Sequence, residues 1–84
     1  MEGDSWFVCS VMKAGPAEDG RVYIWLRDLG GKFDTWFFAN PEIRRDALSV
    51  AIVAIVNGIK VEAALPSPSP QAYTSINRIY LSKM

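Results

Sequence analysis

Ala47-Leu48-Ser49-Val50-Ala51-Ile52-Val53-Ala54-Ile55-Val56 contains one polar residue in ten, and this stretch decides which fold the chain can adopt. The signals around it predict a helix from about Pro41 to Asn57, with Asn40 as its N-cap and Gly58 as its left-handed C-terminal cap. A helix that is apolar on every side must be covered on every side. Because 84 residues with one helix cover only one side of it, we expect the other side to meet a second copy of the protein.

The two sides of this helix differ in the size of their side chains. Bulky residues form one stripe, which we expect to fill the end of a barrel: Leu48, Ile52, Ile55 and Ile59. Small residues form another stripe, which permits a close approach: Ala47, Ala51 and Ala54. The residues expected at an interface between subunits are Val50, Ala51, Val53 and Ala54. The segment is also rich in β-branched residues, so a strand through 50–56 would contradict this interpretation.

Strand patterns flank the helix on both sides. Alternating or β-rich segments predict strands near 6–13, 21–28, 32–39, 59–65 and 74–82. Three strands, a helix and two strands is the order of the OB-fold, a five-stranded, partly open barrel. We therefore predict a single domain over 1–84, mainly β with one helix, built as a five-stranded OB-like barrel. An open antiparallel sheet packed on one helix would give the same order.

The second half of the chain resembles a known group of proteins. The stretches WFFANPEIRRDALSVAIVAIVNGIKVEAAL (36–65) and SINRIYL (75–81) are similar to small bacterial OB-fold proteins. These include the ring-forming binding subunits of cholera- and pertussis-type toxins. The resemblance implies a ring of subunits that binds carbohydrate on one face. Those subunits are secreted and usually carry a disulfide, whereas Cys9 is the only cysteine here, and no sugar-binding residue of that group matches a position in this chain.

Charge and composition argue against several function classes. Nine acidic and nine basic side chains balance, and this argues against nucleic-acid binding, which usually needs a basic excess. The chain has no histidine and one cysteine, so we expect no structural zinc site, no cofactor, no nucleophile–base pair and no enzymatic activity. The helical apolar run is too short to span a bilayer. The acidic start, Met1-Glu2-Gly3-Asp4, does not resemble a signal peptide, so we expect a cytoplasmic protein, or a secreted one if a signal peptide was removed.

Aromatic residues and arginine alternate on one face of the second and third predicted strands. The candidate ligand-binding residues are Tyr23, Trp25, Arg27 and Trp36. Such a face can stack on sugar rings or on nucleic-acid bases. It can equally be packed in the core or between subunits, because aromatics and arginine are enriched at interfaces.

Three hypotheses about function follow. The first is a homo-oligomeric, non-enzymatic domain that binds carbohydrate or another small molecule. The second is a module that binds single-stranded nucleic acid. The third is a structural or accessory subunit that binds another protein.

Overall fold

The computed structural model describes residues 3–83 and shows one mixed β-sheet with one helix. The elements are β1 (Ser5–Pro16), β2 (Val22–Asp28), β3 (Asp34–Ala39), α1 (Arg44–Asn57), β4 (Lys60–Leu65), β5 (Ser75–Ile76) and β6 (Arg78–Ser82). The strand order in the sheet is β5-β3-β2-β1-β4-β6, and only the β3–β5 pair is parallel. The prediction of a mainly β chain with one helix is confirmed.

The predicted five-stranded barrel is not confirmed, because the last predicted strand is divided at Asn77. The part before Asn77 pairs with β3 at one edge of the sheet, and the part after it pairs with β4 at the other edge. The two edge strands are consecutive pieces of chain, and the six-stranded sheet is not closed into a barrel. Asn77 itself donates its backbone N–H to the Ala64 carbonyl oxygen at 2.9 Å.

The core lies between one face of this sheet and the helix. Alternation in β2 and β3 buries Ile24, Leu26 and Phe37 completely, as the sequence pattern predicts. The register of β1 shifts between Val11 and Lys13, which indicates a bulge. The first half of β1 pairs with β4 and the second half with β2, so this strand joins both halves of the sheet.

The helix packs on the sheet through its small residues, which permit the predicted close approach, but the prediction that the bulky stripe fills the end of a barrel is wrong for Ile52 and Ile55. Ala47, Ala51 and Ala54 are buried in the core, whereas Ile52 and Ile55 are 48% and 42% exposed. Large side chains of the sheet already fill the space under the helix, and alanine lets the helix backbone approach them closely.

The interface prediction must be corrected in consequence. Ala51 and Ala54 are covered by the chain's own sheet and cannot contact a second copy. Of the other two predicted interface residues, Val53 is exposed and Val50 is partly buried.

The two ends of the helix follow the sequence signals to different degrees. Gly58 is the left-handed C-cap with φ 66°, and its N–H donates to the Ala54 carbonyl. Asn40 caps the turn before the helix: its side-chain oxygen accepts the Glu42 N–H at 3.0 Å, and α1 begins only at Arg44. Across 3–83, no helix is both long enough and apolar enough to cross a bilayer.

Candidate functional site

The outer face of the β2–β3 ladder, on the side away from the helix, is aromatic. Directly opposed residues of an antiparallel ladder share a face. The opposed pairs on this face are Tyr23 with Phe38, Trp25 with Trp36, and Arg27 with Asp34. The structure therefore places all four sequence-predicted ligand residues on one continuous surface, which we call the aromatic face.

Asp34 positions one end of the aromatic face. It accepts the indole N–H of Trp25 on one carboxylate oxygen and the Arg27 Nε–H on the other, the latter at 3.0 Å. The Trp25 hydrogen bond, followed by Arg27, lowers the pKa of Asp34 below its ordinary value. The Arg27–Asp34 pair is half exposed and contributes little to stability. Its consequence is geometric, because it orients Trp25 edge-on to Trp36, with ring centroids 5.4 Å apart.

Two cations lie over rings of the aromatic face. The Lys13 ammonium lies 5.8 Å from the Trp25 ring centroid, and the Arg21 guanidinium lies 4.9 Å from that of Phe38. At such distances the ring quadrupole attracts the cation. These two positive charges therefore occupy part of the Trp25 and Phe38 ring faces, next to any molecule bound on the aromatic face.

The other end of the aromatic face forms a groove of about 490 Å³. It is lined by Gly15, Pro16, Ala17, Tyr23, Trp36 and Tyr73. Tyr73 meets Tyr23 edge-to-face, with centroids 6.1 Å apart. The volume falls within the ordinary range for ligand pockets.

The groove has two anchored walls. Tyr73 donates its backbone N–H to the Trp36 carbonyl oxygen at 2.8 Å. On the other side, Asp19 accepts the Arg21 backbone N–H at 2.9 Å and the Tyr23 hydroxyl at 3.1 Å. The bond from Arg21, followed by the bond from Tyr23, lowers the pKa of Asp19. The Asp19 side chain is therefore a charged carboxylate when it holds the loop between β1 and β2 in place.

The sequence interpretation selected only part of this groove. Tyr23 and Trp36 line it, whereas Trp25 and Arg27 lie beside it on the same face. Tyr73 and Pro16 were missed because both lie outside the alternating core of the predicted strands. An aromatic residue three positions after the Pro66–Pro70 run is the sequence signal that indicates Tyr73.

Cys9 does not offer a nucleophile. It is fully buried opposite Asp28, and burial, followed by the nearby Asp28 charge, raises its pKa to about 12. Asp28 accepts the Lys32 N–H at 2.9 Å and so closes the β2–β3 turn. In the part of the chain that the structure describes, no three His, Cys, Asp or Glu side chains are placed to hold a metal ion.

A second groove, of about 550 Å³, lies between the β2–β3 turn, the helix C-terminus and the end of β6. Leu29, Ile59 and Leu81 line it together with Lys60 and Lys83. It is the larger of the two, but no aromatic ring and no carboxylate converge on it. The aromatic groove is the better candidate because rings and hydrogen-bonding groups from separate elements meet there.

Comparison with protein families, curated sequences and solved structures finds no match to this chain.

Proposed function

We propose that this chain is a non-enzymatic binding domain that recognises neutral carbohydrate on the aromatic face. The observation that carries the proposal is the groove of about 490 Å³ in which Tyr23, Trp36 and Tyr73 converge from two strands and a loop. Tyr73 is exposed, whereas Tyr23 and Trp36 are partly buried, so the three rings offer contact area in a shallow site, and a few polar groups around them orient the ligand. Asp19, Asp34 and Arg27 supply such groups at the two ends.

The strand connections support this location for a site. We propose that β5 and β6 are the two halves of the fifth strand of an OB-like barrel, because together they reach β3 and β4 within eight residues, 75–82. OB-folds bind oligosaccharides and oligonucleotides on the face of strands two and three, between the loops that follow strands one and four. Here those loops are 17–21 and 66–74, and each supplies a residue to the groove.

Carbohydrate fits this groove better than nucleic acid does. No side chain that lines it is charged, and the whole chain has a net charge of zero. Arg27 is already paired with Asp34. A nucleic-acid strand needs several phosphates neutralised, whereas a neutral sugar needs rings and hydrogen bonds.

To test the proposal, the protein is titrated with chitotriose, cellotriose and maltotriose, and binding is measured by tryptophan fluorescence and by calorimetry. We expect at least one trisaccharide to bind, and Trp36→Ala to weaken its binding by about fivefold or more, since a lost stacking ring costs of the order of 1 kcal/mol. Trp6→Ala is the matched control, because Trp6 is a half-exposed ring stacked on Tyr80, outside the groove. Salt-dependent binding of the oligonucleotide dT15 in place of sugar would favour the nucleic-acid hypothesis. Capture of one stable protein partner with no sugar binding would favour the accessory subunit.

We also propose that the chain forms a homo-oligomer, of which a ring is one form, through the exposed side of α1. Ile52, Ile55 and Val56 are 48%, 42% and 75% exposed, and soluble proteins rarely leave large apolar patches uncovered. Arg45 lies on the same side at helical spacing, and the last turn carries no basic residue. In an antiparallel helix pair, Arg45 of one copy would lie beside the negative C-terminal end of the other helix.

Light scattering at micromolar concentration tests this part of the proposal. We expect a mass above the 9.3 kDa of one chain, and a return to that mass in Ile52→Asp, because a charge buried in an apolar interface is costly. Trp6→Asp, on the opposite face of the sheet, should leave the mass unchanged. A wild-type mass of one chain would contradict self-association without affecting the carbohydrate proposal.

A further inference from the structure

Tyr73 has a backbone conformation that is unusual for its residue type. Among residues 3–83 it is the only residue other than glycine with a positive φ, at 63°. This left-handed region brings Cβ close to the following carbonyl oxygen, and only glycine, and to a lesser extent Asn and Asp, adopts it readily. A large aromatic residue is therefore an unfavourable choice at this position on conformational grounds.

The hydrogen bond of the Tyr73 backbone shows how the positive φ directs the Tyr73 ring. The Tyr73 N–H is held by the Trp36 carbonyl oxygen at 2.8 Å, so φ alone sets the direction in which the Cα–Cβ bond leaves the chain. At the observed φ the ring stands against Tyr23 at an interplanar angle of 79° and lines the groove. An ordinary negative φ would turn the ring out of the groove.

The Tyr73 ring is not there to fill the core. It is 58% exposed, and its ring contact with Tyr23 lies on the groove side. Strained residues that the surrounding structure holds in place cluster at ligand sites. Burial thus gives no reason for a tyrosine at this position, whereas the groove does.

We propose that Tyr73 is the specificity-determining wall of the groove, which packs edge-on against a pyranose ring seated over Tyr23 and Trp36. This inference rests on the proposed carbohydrate-binding function and adds the residue that selects the sugar ring. Because the wall and the floor come from different elements, the corner between them accepts a ring of limited width and excludes a flat, extended strand of stacked bases.

The experiment separates the role of the ring from that of the backbone. Tyr73→Gly and Tyr73→Asn relieve the left-handed strain and remove the ring, whereas Tyr73→Phe retains both. We expect the melting temperature of the Gly and Asn variants to be unchanged or higher than that of wild type. We expect their affinity for the bound trisaccharide to fall by about fivefold or more, and that of Tyr73→Phe to stay within about twofold.

Tyr80→Asn is the matched control, since Tyr80 is also half exposed and packed on a ring, 5.6 Å from Trp6, but lies outside the groove and has no positive φ. It should lower the melting temperature and leave sugar affinity unchanged. Two results would overturn the inference and leave the proposed function standing. One is a lower melting temperature in both Tyr73→Gly and Tyr73→Asn. The other is wild-type sugar affinity in both of these variants while Trp36→Ala fails to bind. A wild-type protein that binds none of the three sugars would overturn both.

Discussion

Asp34 shows how one exposed carboxylate can organise an aromatic surface. It receives the Trp25 indole on one oxygen and Arg27 on the other, so it fixes a ring and a cation at once. Its value lies in orientation rather than in stability, since exposed ion pairs contribute little. The aromatic face is ordered at this end by hydrogen bonding and at the other by the Tyr23–Tyr73 contact.

The lowered pKa of Asp34 predicts an acid-dependent change at this face. A carboxylate whose pKa is depressed on folding stabilises the fold above its unfolded value, and that stabilisation is lost as the pH falls through the folded pKa. For Asp34 this loss of stabilisation therefore begins near pH 3.8, the ordinary pKa of the carboxyl group, and continues at lower pH. We expect the melting temperature of wild type to exceed that of Asp34→Asn only slightly at neutral pH, because the group is exposed, and this small difference to vanish as the pH falls through and below 3.8.

Trp25→Phe is the control for the cause of the Asp34 shift, because it retains a ring and removes the N–H donor. The Asp34 titration, followed by NMR of its carboxyl carbon, should move upward in Trp25→Phe, towards 3.8. An unchanged midpoint would show that the indole hydrogen bond, the first cause of the shift, does not control this carboxylate.

The helix illustrates how an element can be predicted in place but not in orientation. Its alanine stripe faces the sheet, and its isoleucines face outward. A close approach of helix to sheet requires small residues at the contact, since interiors are packed to near-crystalline density. The exposed isoleucines then become the surface by which the proposed oligomer forms.

Overpacking at the buried stripe tests this orientation. Ala51 has no exposed surface, so Ala51→Leu forces the helix away from the sheet and should destabilise the fold by about 1–3 kcal/mol or more. In the Ile52→Asp background, in which the proposed oligomer is lost, Ser49→Leu places the same side chain on the exposed side and should change stability by about 0.5 kcal/mol or less. Urea denaturation measures both, and equal effects would place the helix in a different rotation.

Gly58 at the helix C-cap and Gly15 in β1 are two glycines that differ in backbone conformation. A Cβ added at either Gly58 or Gly15 meets nothing within 4 Å, but only Gly58 has a positive φ. Gly58→Ala should therefore cost about 1–2 kcal/mol of unfolding free energy, whereas Gly15→Ala should cost nothing or slightly stabilise its strand. A loss of the same size at Gly15 would indicate that space rather than φ controls these positions.

At the scale of the whole molecule, Asn77 ties together segments that are distant in the chain. Its side-chain oxygen accepts from Ser75 at 3.0 Å and from Asn40 at 3.3 Å, and its amide donates to Asp4 at 3.1 Å. Its backbone N–H reaches β4 while its neighbour in β5 pairs with β3. The amino end, the start of the helical turn and both sheet edges therefore meet at one residue.

Asn77→Ala should destabilise the whole fold rather than one edge. The substitution removes three side-chain hydrogen bonds, one of them between partly buried groups 37 positions apart. We expect the free energy of unfolding to fall by about 1–3 kcal/mol and the denaturation midpoint to shift for every spectroscopic probe. Asn57→Ala removes one exposed hydrogen bond at the helix end and should cost much less. Hydrogen exchange that accelerates only in β5, with β4 unaffected, would contradict a role in joining the edges.

The sequence alone determined the features that depend on local pattern. Alternation fixed which side of β2 and β3 is buried, and therefore placed Tyr23, Trp25, Arg27 and Trp36 together on the outside. The order of elements as far as β4 and the left-handed glycine at the helix end also follow from neighbouring residues alone. These predictions are confirmed because they depend only on nearby residues. Strand side chains alternate between the two faces with a period of two, and glycine adopts a positive φ because it has no Cβ.

Only the tertiary structure decided the rotation of the helix, the division of the last strand and the position of Tyr73. A helix that is apolar on all sides has no preferred direction in its sequence, so the space above the sheet selects the alanine side. Asn77 interrupts the last strand because its hydrogen bonds lead to residues as far away as Asp4 and Asn40. Tyr73 adopts a conformation that its own side chain disfavours, because a carbonyl on β3 holds its N–H, and no local pattern can reveal a bond to a partner 37 positions away.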